Sequence, residues 1–157
     1  MLGESIHDPV HVESKNDFID GLGLLAVSTT FAQKKATYQV QARILNFESL
    51  VGEMIQGYEI HMGETQSQTP RLEIISRNGE PVQLLDGSVS SNGKVWGCYL
   101  HGLFQNDVLR QAWLKDLGWQ GEVASQSVRF DESLERLADA VEGALNMSLL
   151  ENIIWGG

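Results

Sequence analysis

A chain of 157 residues, 42% hydrophobic and 20% charged, has the length and composition of one globular domain and excludes a disordered chain. The formal net charge of -10, with 11 Lys and Arg scattered along the sequence, excludes a nucleic-acid partner, because affinity for a phosphate backbone needs clustered cations. One cysteine, Cys98, excludes an intramolecular disulfide and a Cys-built zinc site within one chain, so a reducing, cytoplasmic location is expected.

The N-terminus has neither the basic region nor the apolar core of a signal peptide, and no run of about 18 apolar residues exists, so no membrane partner is expected. Residues 1–23 carry turn chemistry, with the Asp8-Pro9 step, polar Glu13 to Asp17, and Gly21 and Gly23, and predict a surface-running lead-in segment. Leu24 to Phe31 and Tyr38 to Ile44 predict strands; in the second, Tyr38, Val40, Ala42 and Ile44 share a face. Gln56 to Met62 alternates too, placing Tyr58, Ile60 and Met62 on one face and Gly57, Glu59 and His61 on the other.

Arg71 to Ser76 and Val82 to Leu85 predict two short strands joined at Asn78-Gly79, a dipeptide suited to a tight hairpin. Lys94 to Leu100 predicts a strand running into His101-Gly102-Leu103. Asn106 or Asp107 can cap the following helix, whose inner stripe is Val108, Leu109, Ala112, Trp113 and Leu117. Leu134, Leu137, Ala138, Val141, Leu145 and Leu149 repeat at helical spacing behind a capping Asp131. No repeat or linker divides the chain, so one α/β unit is expected.

A polar residue set between a strand and a helix start is a common way to display a reactive group. His101 has that place, at the end of a strand where ligands of open α/β sheets bind. A histidine that only ties down a loop fits the same pattern. Glu59 and His61 share a strand face and suit either a role beside His101 or a solvated surface. His7 and His11, spaced i, i+4 beside Asp8, have metal-ligand spacing on a helix, but Pro9 between them argues for a loop, and no metal site is expected.

The stretches GYEIHMGET at 57–65 and GCYLHGLFQND at 97–107 resemble two signature segments of the cobyric acid synthase family. MLGESIHDP at 1–9 and GLGLLAVSTTF at 21–31 resemble the segments that follow that family's nucleophile elbow, so the resemblance covers about residues 1–110 in order. It implies the C-terminal part of a triad-type (class I) glutamine amidotransferase domain, spanning residues 1–157. The implied fold is α/β, an incomplete flavodoxin-like domain with a mixed sheet and flanking helices.

In such enzymes a cysteine thiolate attacks the side-chain amide of glutamine, and His101 matches the histidine that accepts the thiol proton and later protonates ammonia. Leu103 stands where most triad-type amidotransferases place an orienting glutamate, and the cobyric acid synthase branch is similar in lacking it. Glu59 or a backbone carbonyl is then the candidate orienting group. No cysteine of the G-x-C-x-G kind precedes His101, and Cys98 lies on the histidine's own strand, three residues away, where side chains point to opposite faces unless the strand bulges.

The resemblance therefore implies a chain that carries the general base, lacks the nucleophile and is inactive alone. It implies no cofactor in this domain, with ATP and Mg in a synthetase portion that amidates corrin carboxylates. The expected partners are glutamine, that synthetase domain and, through it, the corrin; an exposed sheet edge predicts a homo-oligomer of the fragment. The competing expectation is a noncatalytic binding or regulatory module of the same fold.

Overall fold

The longest element of the computed structural model, which describes residues 1–156, is a 17-residue strand, Ser28–Ile44. It joins the two strands expected at 24–31 and 38–44 and starts later than the first of them, because Leu24 to Val27 form a loop whose Leu25 and Val27 are buried. The lead-in segment holds two short strands, β1 (Ser5–His7) and β2 (Phe18–Asp20). The long strand is β3; β4 (Met54–Thr65), β5 (Leu72–Arg77), β6 (Glu80–Asp86), β7 (Ser88–Val89), β8 (Trp96–Gly97) and β9 (Leu100–His101) follow.

The sheet runs β2-β1-β3-β4-β9, with β5 also on β3 and β6 on β5, while β7 and β8 form a separate pair. β4 lies antiparallel along one side of β3; the other side takes β1, in parallel, at Ser28–Thr30 and β5, antiparallel, at Val40–Ile44. The sheet is therefore mixed. Asn78-Gly79 makes the β5–β6 turn as its sequence requires: both residues have positive φ, 51° and 86°, the type I′ geometry that follows strand twist.

Alternation along β3 sorts the two faces. Val40, Ala42 and Ile44 are buried with Ile55, Leu72, Ile74 and Leu100, and Leu50, Leu103 and Leu109 pack against them. Burying an aliphatic side chain of this size is worth about 1.5–3 kcal/mol, so this face carries most of the stability of the unit. The opposite face, with Gln39, Gln41, Arg43, Tyr58 and Ile60, is open.

Short 3-10 turns at Glu48–Leu50 and Leu103–Gln105 and helix α1 (Asp107–Asp116) cover the apolar face. Only the middle of the expected α1 stripe faces inward: Leu109 is buried and Ala112 and Trp113 half-buried, whereas Val108 and Leu117 are 56% and 65% exposed. Positions i, i+3 and i+4 fill the narrow contact, and the two outer positions fall beyond it.

The chain divides into two compact units, Met1–Gly118 and a second beginning at Trp119. The second consists of helices α2 (Gln126–Ala144) and α3 (Met147–Trp155). α2 begins five residues before the expected Asp131 cap, and its C-cap Leu145 is extended. Asn146 then caps α3 by accepting from the Leu149 amide, so the single expected helix is two. No helix among the described residues is long and apolar enough to cross a membrane.

Candidate active site and the charged cluster beneath it

His101 closes β9, and three local devices hold it. Its strand pairs with β4 at Tyr58–His101 and Glu59–Leu100. Gly102 adopts φ 75°, a left-handed conformation that glycine takes without strain and that turns the chain sharply into the 103–105 turn. Beyond the turn, the Asn106 side chain accepts from the Gln56 amide at 2.9 Å and donates to the Gln56 carbonyl at 2.8 Å, which bolts the loop back onto β4.

Residues opposite each other in an antiparallel pair share a face. His101 therefore lies on the open face with Tyr58, which is 45% exposed. A groove of about 330 Å³ runs across this face, lined among others by Gln39, Gln41, Gln56, Tyr58, Gln105 and Asn106. The groove is rich in carboxamides and supplies donors and acceptors alike, the chemistry that a neutral polar ligand requires.

Glu59 and His61 point the other way. Glu59 is 2% exposed, so the solvated-surface reading does not hold for it. Its carboxylate accepts two bonds from Arg77, from Nε at 2.6 Å and Nη2 at 2.7 Å, and His61 Nε2 lies 3.3 Å from its Oε1. His61 Nδ1 sits 2.8 Å from the Gly63 carbonyl, and the ring stacks on Tyr99 at 4.0 Å. Both ring nitrogens face acceptors only, the arrangement of an imidazolium. The structure thus brings Glu59 and His61 together and places His101 on the other side of the sheet.

Burial alone would raise the Glu59 carboxyl, but the hydrogen bonds from His61 and Arg77 outweigh it and hold it below its ordinary value of 4.5. The bond to Glu59 raises His61 above 6.5 against the effect of burial, with the Gly63 carbonyl adding to the rise. These shifts set a stability window. A raised histidine contributes fully below 6.5 and loses its contribution as pH climbs through its folded value; a depressed carboxylate contributes fully above 4.5 and loses it as pH falls through its folded value. The contribution of the cluster is expected to be flat between 4.5 and 6.5 and to fall on both sides, as read by denaturant midpoints across pH. Midpoints that keep rising from pH 7 to 9 would contradict it.

Behind the cluster, buried Asp86 accepts from the Tyr99 and Gly87 amides, and burial raises its carboxyl despite those bonds. Cys98 packs against the core between β8 and β9, and its thiol donates to the Leu100 carbonyl at 3.8 Å. Burial, and then the nearby Asp86 charge, push the thiol up to about 12, so it is protonated and unreactive at neutral pH. His7 pairs with Phe18 across β1 and β2, and His11 sits in a loop facing Asp17 at 3.3 Å.

Gly57 explains how closely β9 can approach. A Cβ there would lie 2.5 Å from the His101 carbonyl oxygen and 2.7 Å from Leu100 Cγ. Gly57→Ala is expected to push β9 away from β4, at a cost of about 1–3 kcal/mol, and to shift the His101 ring resonances. An unchanged melting temperature with unshifted resonances would show that the strand pair tolerates the methyl.

Arg77, Asp86 and Tyr99 were not apparent as site residues in the sequence. Arg77 reaches Glu59 only because β5 adds to β3 with Val40 opposite Arg77, a long-range register that no local pattern announces.

The model of the CobB/CobQ-like glutamine amidotransferase domain matches residues 1–109. Cobyric acid synthase of Chloroflexus aurantiacus is 42% identical over 157 residues, covering 98% of this chain and 32% of its own length. Those of Herpetosiphon aurantiacus and Clostridium botulinum (strain Kyoto / Type A2) are 42% and 35% identical, each over 98% of this chain and 30% and 32% of their own lengths. The chain therefore spans about a third of the relatives it matches. With a match over more than half of its residues, and with the mixed sheet and strand-end histidine already in place, this chain belongs to the CobB/CobQ-like glutamine amidotransferase domain family.

Proposed function

We propose that this chain supplies the histidine side of a glutaminase site, which provides ammonia for ATP-dependent amidation of corrin carboxylates by a synthetase portion in the cytoplasm. The observation that carries the reading is His101 itself, held at the end of β9 by the Tyr58 pair, the Gly102 turn and the Asn106 bolt, on the open face where its partner Tyr58 lines a carboxamide-rich groove.

In this reading a cysteine thiol gives its proton to the His101 imidazole as its sulfur bonds to the glutamine side-chain carbon. The C–N bond then breaks, and His101 returns the proton to the departing ammonia. Water adds to the thioester as His101 accepts its proton; the C–S bond breaks, the proton goes back to sulfur, and glutamate leaves. Cys98 does not fill the nucleophile's role, since its thiol is buried and held protonated on the core side while His101 faces the open side. The attacking thiol comes from outside these 157 residues. Glu59 and His61 support the site through β4, the strand that β9 and His101 pair with, rather than by touching the imidazole.

The test is release of ammonia from glutamine by the chain alone, by its Cys98→Ser variant, and by each mixed with a polypeptide that supplies a relative's cysteine elbow. Silence alone, activity on mixing in both, and loss with His101→Ala are expected. Activity of the chain alone that Cys98→Ser abolishes would overturn the assignment of the nucleophile. No activity on mixing, or activity that survives His101→Ala, would overturn the glutaminase reading.

A further inference from the structure

Between the pairs Phe31–Gly63 and Ala36–His61, β3 advances five residues while β4 advances two, so three surplus residues leave the ladder. A bulge re-aims the side chains it carries. Here the displaced segment includes Lys34 and Lys35, both exposed, and it forms one wall of a cavity of about 260 Å³. Tyr38, His61, Glu64 and Arg77 contribute to the other walls. Basic residues that are scattered in the sequence are thus gathered in one place, on a chain whose net charge is -10.

The excess positive charge and the donors around this cavity select its ligand. Lys34, Lys35, Arg77 and the His61 imidazolium carry four positive charges. Glu64 on the wall and Glu59 and Asp86 behind it carry three negative ones, which leaves one positive charge uncompensated. The guanidinium of Arg77 spends two of its five N–H groups on Glu59 and keeps three. It is held in place by that fork and by the Tyr38 ring, 4.6 Å from its central carbon, so its remaining donors are positioned before any ligand arrives. A monocarboxylate has two acceptor oxygens for these three side chains. A phosphate group, with three or more acceptor oxygens, can accept from Arg77 and both lysines together.

We propose that the cavity beneath the β3 bulge is a phosphate-binding site in which Lys34, Lys35 and Arg77 donate to the anion oxygens. The site lies on the Glu59 side of the sheet, opposite the face that carries His101, and the proposal stands whether or not His101 works as a base. Inorganic phosphate and the terminal phosphate of a nucleotide present the same chemistry, and the experiment separates them.

The test titrates the 157-residue chain with inorganic phosphate, ATP and, as a monocarboxylate control, acetate at low ionic strength, following heat and the ring resonances of His61. Saturable one-to-one binding of phosphate or ATP that shifts His61, weakens at least tenfold in Lys34→Ala/Lys35→Ala, and weakens with added salt is expected. Equal affinity for phosphate and ATP assigns the free anion; tighter ATP binding assigns a nucleotide. Both lysines are exposed, so the double variant is expected to keep the parent's melting temperature, which is measured alongside. Arg77→Lys gives a second readout, because an ammonium cannot hold Glu59 by the same fork and still present three donors. Failure of both phosphate and ATP to bind, acetate binding as tightly as phosphate, or binding unchanged in the double lysine variant would each overturn the proposal.

Discussion

Replacing His101 with alanine or asparagine, in an enzyme that also carries the synthetase portion, is expected to lower glutamine-dependent amidation by about 10²–10⁴-fold while leaving amidation with free ammonia unchanged. The asymmetry follows from where the imidazole acts. In the proposed reaction it moves protons to and from the thiol, the departing ammonia and water, and none of those steps is needed when ammonia is supplied directly. Asparagine keeps much of the shape and a hydrogen-bonding tip but cannot take a proton, so it separates proton transfer from packing. His101 lies on the open face, and its removal takes nothing from the apolar core. Equal loss with glutamine and with ammonia would mark His101 as a structural residue.

Much of the arrangement around His101 was legible in the sequence because it is local. The alternation of Tyr38 to Ile44 and Gln56 to Met62 put the right residues on common faces, and Asn78-Gly79 marked its hairpin. The GYEIHMGET and GCYLHGLFQND segments pointed to the family that the comparison with known domains bears out. What escaped was long-range. In the middle of β4, polar Glu59 turned out to be buried while its neighbours Tyr58 and Ile60 are open, an inversion that hydropathy alone predicts the wrong way round. It arises because Arg77, delivered by a strand 18 residues further on, neutralises Glu59. The bulge in β3 falls largely in the gap left between the two expected strands, where the sequence marked an interruption but not that one strand continues through it. The second unit misled in a different way: its apolar periodicity passes unbroken through Leu145 and Asn146, where the backbone turns and a new cap begins.

Glu59→Ala is the substitution expected to cost most stability, about 3–5 kcal/mol, because it strips the shared counterion from two cations at once. Arg77 and His61 would be left close together, both largely withdrawn from water and repelling one another. Arg77 cannot shed its proton, so His61 must, and the raised histidine of the parent becomes a depressed one. The pH response on the alkaline side then flattens, and a loss opens on the acid side of 6.5. In the parent, stability is lost as pH climbs from 6.5 through the folded value of His61. In the variant that loss disappears, and stability instead falls as the pH drops below 6.5 toward the depressed folded value, where the histidine is forced to charge. Glu59→Gln keeps an acceptor for Arg77 without the charge and is expected to fall between the two. The double substitution Glu59→Ala/Arg77→Met removes the stranded guanidinium with its partner and is expected to cost less than the sum of its single changes. Glutamine-dependent activity per folded molecule is expected to survive in Glu59→Ala well below its melting temperature, because the carboxylate and His101 lie on opposite faces of the β4–β9 pair. Denaturant midpoints for the parent, these three variants and Arg77→Met between pH 5 and 9 check the scheme. A Glu59→Ala midpoint within about 0.5 kcal/mol of the parent, or an alkaline slope that persists in the variant, would show that the ion cluster does not hold β4 and β5 together.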